Sequence, residues 1–230
     1  MYLARGVLNP RCREVQRDLA NPVDLHRTLM KAFPDDGGEN PRKRYGVLHR
    51  VDQDRRGYLL LYVQSNEKPD FSKLPARYFE AMSDDIDAAF AGVQENPAVR
   101  SVAGERARIR AGDRFVFRLC ANVTRRILTK SLADGTKQNG KRVPWRTDTD
   151  RMKWFERRAT LGGFEGEDVR LRTLRPTVGL GKERRLVFAG TIFEGVLVVR
   201  DADLFRAALA NGIGPGKAFG FGLLSIARAR

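Results

Sequence analysis

The sequence contains little cysteine and little histidine, with two residues of each in a chain of 230. Cys12 and Cys120 lie far apart and in no CxxC arrangement, which argues against a disulfide framework and against a zinc site. Neither HExxH nor a cluster of Cys and His occurs, and the paired aspartates are more typical of helix caps and turns. We therefore expect a protein that needs no metal and no other cofactor.

Long apolar segments are also missing. No apolar run approaches the roughly 20 residues that a membrane helix requires. The N-terminus passes directly into a strand-like segment, without the apolar core of a signal peptide. We therefore expect a cytoplasmic protein with no membrane partner. With 42% hydrophobic and 31% charged residues, the chain can form one large domain or two of about 100 residues each.

Acidic residues are scarce relative to basic ones. Lys and Arg total 43 against 28 Asp and Glu, which gives a net charge of +15. The segment from residue 105 to residue 158 holds 16 basic and 6 acidic residues, so most of the excess is concentrated there. A milder excess of basic residues would be typical of a solubilising surface. An anionic membrane surface could also bind a basic protein. This concentration favours nucleic acid.

Hydrophobic periodicity predicts the same order of elements in each half of the chain. In the first half, strand, helix, strand, strand, helix and strand fall on Tyr2–Asn9, Asn21–Phe33, Tyr45–Val51, Tyr58–Val63, Leu74–Phe90 and Ala98–Ile109. In the second half they fall on Arg114–Cys120, Thr147–Leu161, Phe164–Thr177, Arg185–Arg200, Asp201–Asn211 and Phe221–Ala227. We therefore predict an α+β protein of two tandem ferredoxin-like (RRM-like) βαββαβ domains, residues 1–109 and 110–230.

The first predicted helix carries a candidate catalytic site. Asn21 can cap this helix and Pro22 suits its first turn. His26 lies at the edge of the apolar stripe, while Arg27 and Lys31 lie four residues apart on the outer side. An imidazole can move a proton near neutral pH, and cations can hold a phosphate, so the group suits phosphodiester cleavage.

Basic residues and glycines predict an RNA-binding surface in the second half. The glycine-rich segment Gly212–Ser225 is no P-loop, because GxxxxGK[ST] is absent, but its backbone amides can approach an anion closely. Recognition of duplex RNA should rest mainly on the shape of the helix and on contacts to its phosphates. The candidate RNA-binding residues are Arg125, Arg126, Lys130, Lys141, Arg142, Arg157, Arg158, Gly214, Gly216 and Lys217.

Several motifs in order along the chain resemble the CasE endoribonucleases of the type I-E CRISPR Cascade complex. They are Asp18–Leu29 around His26, Phe117–Asn122, Gly140–Pro144, Trp154–Arg158, Phe193–Leu197 and Gly212–Ser225. The resemblance implies tandem ferredoxin-like domains and metal-independent cleavage of precursor CRISPR RNA beside the repeat stem-loop. In that reaction the 2′-hydroxyl attacks phosphorus and leaves a 2′,3′-cyclic phosphate and a 5′-hydroxyl.

The resemblance also implies roles for particular residues. His26 matches the catalytic histidine, as general acid or general base, and Lys31 matches a position close to the active site. Arg157 and Arg158 become leading candidates to grip the stem. The product hairpin is expected to stay bound, so that the protein, a monomer when free, becomes a Cascade subunit.

One departure from the family pattern keeps alternatives open. Some relatives carry a tyrosine three residues before the histidine, where this sequence has Val23. Tyr2 or Tyr45 is an alternative source of a phenol. A non-cleaving RNA hairpin-binding subunit is therefore the second hypothesis, and a general RNA-binding protein is the third. A lone histidine on a helix surface is often not catalytic, and His49, without such neighbours, is interpreted as structural.

Overall fold

Two antiparallel four-stranded sheets organise the chain in a computed structural model that describes residues 1–35, 37, 40–82, 95–127, 142–180 and 185–229. The elements of the first half are β1 Tyr2–Val7, α1 Arg13–Ala20, α2 Pro22–Met30, α3 Pro41–Arg44, β2 Leu48–Gln53, β3 Leu59–Ser65, a 3-10 helix Phe71–Lys73, and β4 Ala98–Ser101. The first sheet has the strand order β2-β3-β1-β4.

The second half repeats this arrangement after a short helix, α4 Ala103–Ala107. Its elements are β5 Arg114–Asn122, β6 Thr124–Arg126, β7 Arg142–Pro144, α5 Asp148–Leu161, β8 Phe164–Thr173, β9 Thr177–Leu180, β10 Arg185–Phe188, β11 Gly190–Val199, α6 Ala202–Asn211, a 3-10 helix Lys217–Phe219, and β12 Leu224–Arg228. The sheet order β12-β5-β11-β8 is that of a ferredoxin-like unit, as in the first half. The predicted α+β class with two ferredoxin-like units in tandem is confirmed.

Each sheet has its own apolar core. In the first unit, the stripe of α2 that includes Leu25 and Leu29 is buried against the sheet. In the second unit, Trp154 and Phe155 of α5 pack on Phe193 of β11. These aromatic residues stack with ring planes 18° and 22° from parallel, which suits the flat surface between a helix and a sheet.

A buried arginine joins the two units. Arg50 of β2 is 4% exposed, and its guanidinium donates to Asp52 Oδ2 at 2.9 Å and to the carbonyl of Leu223 at 3.2 Å. Asp52 also pairs with Arg118 of β5 at 3.4 Å. A buried charge is tolerated only when it is paired and hydrogen-bonded, and Arg50 meets both conditions. The chain is therefore attached to the first sheet at Leu223, immediately before the C-terminal strand begins within the glycine-rich segment.

Several predicted boundaries were wrong. The strand expected over Ala98–Ile109 ends at Ser101, and α4 follows, because Arg106 turns inward to donate to Gln64 at 2.6 Å. The helix expected from Leu74 is absent over residues 74–82, where Tyr78 is buried and donates to Asp18 at 2.8 Å. The rest of that expected helix lies outside the described residues.

Other elements were missed or divided. The sequence did not predict α1, α3 or the β6–β7 hairpin. The strand expected over residues 185–200 is two strands, because Ala189 leaves the ladder and donates to the side chain of Asn122 at 3.3 Å. Its first part, β10, instead forms a hairpin with β9. Within the described residues, no helix is long and apolar enough to cross a membrane.

Candidate nuclease site

His26 lies where helix α2 meets the C-terminal 3-10 helix. Its imidazole is half-buried, and its ring centroid is 6.3 Å from that of Phe219 in an edge-on arrangement. Nδ1 is buried and has no hydrogen-bond partner in the described part of the chain. Burial, and then the positive charge of Arg42, lower the pKa of His26 below its ordinary value. The neutral imidazole is therefore the favoured form near pH 7.

His49 lies beneath the same segment. It is 1% exposed, and its Nε2 is 3.8 Å from the position that a Cβ on Gly220 would occupy. Burial lowers the pKa of His49 to about 3, with smaller effects from His26 and Arg42. A neutral, enclosed side chain of this kind supports the interpretation that His49 is structural.

Three cations form an electrostatically linked cluster beside the histidine site. Arg42 of α3 is half-buried and donates to the carbonyl of Val47 at 3.2 Å, and its charge acts on both His26 and Lys217. Burial, Arg42 and Arg158 together lower the pKa of Lys217. Among the described residues, no carboxylate pairs with Arg42, Lys217 or Arg158. Unpaired, partly buried cations form a site that an anion would stabilise.

The sequence did not identify Arg42, because it lies in a polar segment without periodicity. Its position depends on α3, a helix of four residues that the sequence pattern does not show. The run of basic residues Arg42–Arg44 was the available signal, but such runs are usually solvated surface.

The two cations predicted beside His26 lie on the outside of the helix. Arg27 is exposed and pairs with Asp24 at 2.7 Å. Lys31 is the exposed C-cap residue of α2, five positions after His26, so the two side chains leave the helix roughly 140° apart. The observed cation cluster therefore forms from Arg42, Lys217 and Arg158 rather than from the neighbours of His26 in sequence.

The predicted RNA-binding residues fall on two neighbouring surfaces. On the β6–β7 hairpin, Arg125 stacks over Trp145 at 4.6 Å and Arg126 lies opposite Arg142 in the ladder. On α5, Arg157 is exposed, whereas Arg158 turns toward Trp154 at 5.6 Å. Lys130 and Lys141, which were also predicted to bind RNA, lie outside the described residues.

Arg158 and the glycine-rich segment line one groove. Its volume is about 450 Å³, and Arg142, Gly214 and Lys217 also line it. In the described part of the chain, the backbone amides of Gly214 and Gly216 bond to no protein acceptor. Both glycines have positive φ, at 80° and 85°. The groove therefore combines cationic side chains with the backbone donor of Gly214, which lines it, and this is the chemistry of a phosphate site.

Val23 and the two tyrosines considered as alternative sources of a phenol have other roles in the fold. Val23 contacts the β9 strand, where a Cβ on Gly179 would lie 3.2 Å from Val23 Cγ2. Tyr45 is 4% exposed and stacks on Phe33 at 5.7 Å in the first core. Tyr2 lies in the central strand β1, between β3 and β4. Because Tyr45 is used in core packing, it is a poor candidate to supply the phenol that is absent at Val23.

Metal ligation has no candidate in the described ranges, because no three His, Cys, Asp or Glu side chains converge there. Cys12 and Cys120 are both buried and unpaired. Burial raises the pKa of Cys120 to about 11, so it remains a neutral packing residue.

Comparison with known proteins identifies the family. The family described as CRISPR associated protein matches residues 1–228. The chain is 35% identical to the CRISPR-associated endoribonuclease Cse3 of Thermus thermophilus, over 99% of this chain and 100% of that protein. It is 34% identical to the CRISPR system Cascade subunit CasE of Escherichia coli, over 99% of each.

A solved structure of Thermus thermophilus Cse3 bound to an RNA representing a pre-cleavage complex matches with a TM-score of 0.72 and 33% identity, over 98% of each chain. The resemblance predicted from the motifs is thus confirmed along the whole chain. The protein belongs to the CRISPR-associated protein family that includes Cse3 and CasE.

Proposed function

We propose that this protein is an endoribonuclease that cleaves precursor CRISPR RNA beside the repeat stem-loop and then keeps the hairpin as a Cascade subunit. The observation that carries the proposal is the half-buried His26, on which Arg42 acts, beside the segment of Lys217, on which Arg42 and Arg158 act. Among the described residues, no carboxylate pairs with these three cations. Relatives named as an endoribonuclease and as a Cascade subunit, each at least 34% identical over the chain, support it.

In the proposed reaction, the RNA supplies its own nucleophile. The 2′-hydroxyl oxygen attacks the adjacent phosphorus while neutral His26 accepts the hydroxyl proton as general base. The bond from phosphorus to the 5′-oxygen breaks, and a proton from solvent completes the 5′-hydroxyl. The other product is a 2′,3′-cyclic phosphate. The lowered pKa of His26 supports the basic role, because more of the imidazole is neutral at pH 7.

Charge on the phosphate oxygens increases during the attack. The cations of Arg42, Lys217 and Arg158 and the free amides of Gly214 and Gly216 are the groups proposed to stabilise it. They are held in place by the fold before the RNA arrives, which is the condition for effective electrostatic catalysis. We propose Arg27 and Lys31 for outer contacts to the RNA backbone, since both side chains are exposed.

The stem is proposed to lie across the β6–β7 hairpin and α5. Arg125, Arg126, Arg142 and Arg157 are exposed there and can contact phosphates on successive turns of the RNA. Lys130 and Lys141 are proposed to extend this surface. We also propose that the ferredoxin-like units form two domains, 1–109 and 110–230, and that the protein acts in the cytoplasm, where the RNA transcript is available.

A non-cleaving hairpin-binding subunit is the alternative, and Val23 is the observation that favours it. The discriminating experiment compares the normal protein with His26→Ala on the repeat hairpin RNA under single-turnover conditions. We expect His26→Ala to lower the cleavage rate by about 10²–10⁴-fold, with hairpin affinity nearly unchanged. Cleavage by His26→Ala at the normal rate would contradict the catalytic role of His26. Binding without cleavage by the normal protein would establish the alternative.

A further inference from the structure

The β9–β10 hairpin contacts the helix that carries His26, and we infer that Asn21 is a positioning residue through which this hairpin holds His26 in place for cleavage. The inference rests on the proposed function. Asn21 touches neither the imidazole nor the cation cluster in any described contact, so its effect would be indirect.

The side chain of Asn21 makes four hydrogen bonds. Its Oδ1 accepts from the amide of Val23 at 3.2 Å, which caps α2, and from the amide of Leu180 at 3.1 Å. Its Nδ2 donates to the carbonyl of Leu180 at 3.3 Å and to Asp24 Oδ2 at 2.8 Å. Asn21 thus pairs with both backbone groups of one β9 residue, as a neighbouring strand would.

A helix cap alone does not need this arrangement. Serine and aspartate cap helices about as well as asparagine, because one oxygen acceptor suffices. Only a side chain with both an acceptor and a donor can bond to the N–H and the C=O of the same residue. The two bonds to Leu180 are therefore an addition to capping, and they join an element of the second unit to α2.

Close packing reinforces these bonds. A Cβ on Gly179 would lie 3.2 Å from Val23 Cγ2 and 3.2 Å from Phe188 Cε2, so this glycine lets the hairpin lie directly on the helix. Val23 is three residues before His26, on the same side of α2 to within about 60°. The hairpin therefore contacts the turn of helix that immediately precedes the imidazole.

The hairpin also reaches His26 through the ring of Phe219. Phe188 of β10 packs on Phe219 with ring centroids 4.8 Å apart, and Phe219 is the ring that faces His26 at 6.3 Å. One hairpin thus fixes both the start of α2 and the aromatic ring against which the imidazole rests. Because catalysis depends on placement within about 1 Å, loosening this support should slow cleavage more than binding.

The test uses Asn21→Ser, which keeps a helix cap but cannot bond to both backbone groups of Leu180. Gly179→Ala disturbs the same contact from the hairpin side while Asn21 stays intact. Asp201→Ser is the matched control, since it exchanges one cap for another at the start of α6, where Asp201 accepts from Asp203 and Leu204 at 2.9 Å. Each variant is measured for affinity with a 2′-deoxy hairpin RNA, for single-turnover cleavage, and for the imidazole NMR signals of His26.

We expect Asn21→Ser and Gly179→Ala to cleave about 10- to 100-fold more slowly, with affinity within about twofold of normal. Their His26 signals should shift, while Asp201→Ser behaves as the normal protein in all three measurements. The inference is overturned if both variants cleave at the normal rate, or if Asp201→Ser slows equally. If the normal protein does not cut, the proposed function fails, and the shift of the His26 signals alone decides whether Asn21 positions the imidazole.

Discussion

His26 differs from a histidine in water because protein covers part of its ring and Arg42 lies close enough to act on its charge. Both effects disfavour the imidazolium, burial being the larger, so the pKa of His26 is lowered. Lys217 is subject to the same effects, and burial lowers its pKa as well. The same positive environment that favours the neutral imidazole would, in the proposed reaction, also attract the RNA phosphate.

Arg42→Gln should change both the rate and the pH dependence of cleavage. Loss of one cation at the phosphate should lower the rate by roughly 10²-fold. Arg42 disfavours the imidazolium of His26, so removing Arg42 should raise the pKa of His26. The part of the pH–rate profile that reports the deprotonation of His26 should therefore move to higher pH. Lys43→Gln is the control, because Lys43 is exposed on the same short helix. An unchanged limb in Arg42→Gln would show that Arg42 does not act on His26.

The sequence predicts His26 as the candidate catalytic residue, but it does not predict the cations that lie near it in the structure. A histidine at the edge of an apolar stripe can be recognised from helical periodicity and from its motif. Arg42 and Lys217 lie 175 positions apart in sequence, and only the packing of the two units brings their charges together. Arg27 and Lys31, predicted on the outer side of the same helix and Lys31 also from the family resemblance, are both exposed there.

At the scale of elements, the glycine-rich segment is shaped by close contacts as much as by conformational freedom. Gly214 has φ of +80°, and a Cβ there would lie 2.9 Å from the ring of Trp154. The ends of the segment are tied by the bond from Ile213 N to the carbonyl of Gly222, and from Gly222 N to the carbonyl of Cys120, both at 2.8 Å. The free amides are thus held in a fixed loop.

Gly214→Ala should therefore destabilise the protein by about 2–5 kcal/mol, from backbone strain together with overpacking against Trp154. Gly112→Ala separates the two causes, because Gly112 has φ of +90° but open space around it, and it should lose only about 1–2 kcal/mol. Denaturant unfolding of both variants measures the difference. Equal losses would mean that contact with Trp154 does not matter.

Two adjacent arginines on α5 should have separable roles. Arg157 is exposed, whereas Arg158 lines the groove with Lys217, so Arg157→Ala should weaken RNA binding alone and Arg158→Ala should also slow cleavage. Removal of one arginine from an RNA phosphate should reduce the slope of log affinity against log salt by about 1. Salt titrations and single-turnover rates check both expectations. An unchanged slope in Arg157→Ala would remove that residue from the RNA surface.

Long periodic elements were predictable and short ones were not. The helices α2, α5 and α6 have caps and apolar stripes that the sequence shows, and the capping side chains of Asn21, Thr147 and Asp201 all accept from backbone amides as such residues should. The helices α3 and α4 have four and five residues, too few for a period to be seen. The end of β4 depends on the hydrogen bond from Arg106 to Gln64, a tertiary contact that the local sequence does not show.

At the scale of the whole molecule, the candidate site belongs to neither unit alone. The first unit contributes α2, α3 and β2, and the second contributes the glycine-rich segment and α5. Buried bonds from Arg50 to Leu223 and from Gln64 to the carbonyl of Leu209, at 3.2 and 2.7 Å, fix the units near this junction. Two ferredoxin-like units could be predicted from repeated periodicity, but the junction that brings His26 against the 3-10 helix of Lys217 and Phe219 could not.

The central claim is metal-independent attack by the RNA's own 2′-hydroxyl in a site built from His26 and cations. The most direct measurement is cleavage of the repeat hairpin RNA in excess EDTA, beside the same RNA with a 2′-deoxy nucleotide just upstream of the cut. We predict undiminished cleavage of the first RNA, with a cyclic phosphate on the product, and no cleavage of the second. Cleavage of the 2′-deoxy RNA, or loss of activity in EDTA that magnesium restores, would contradict this account.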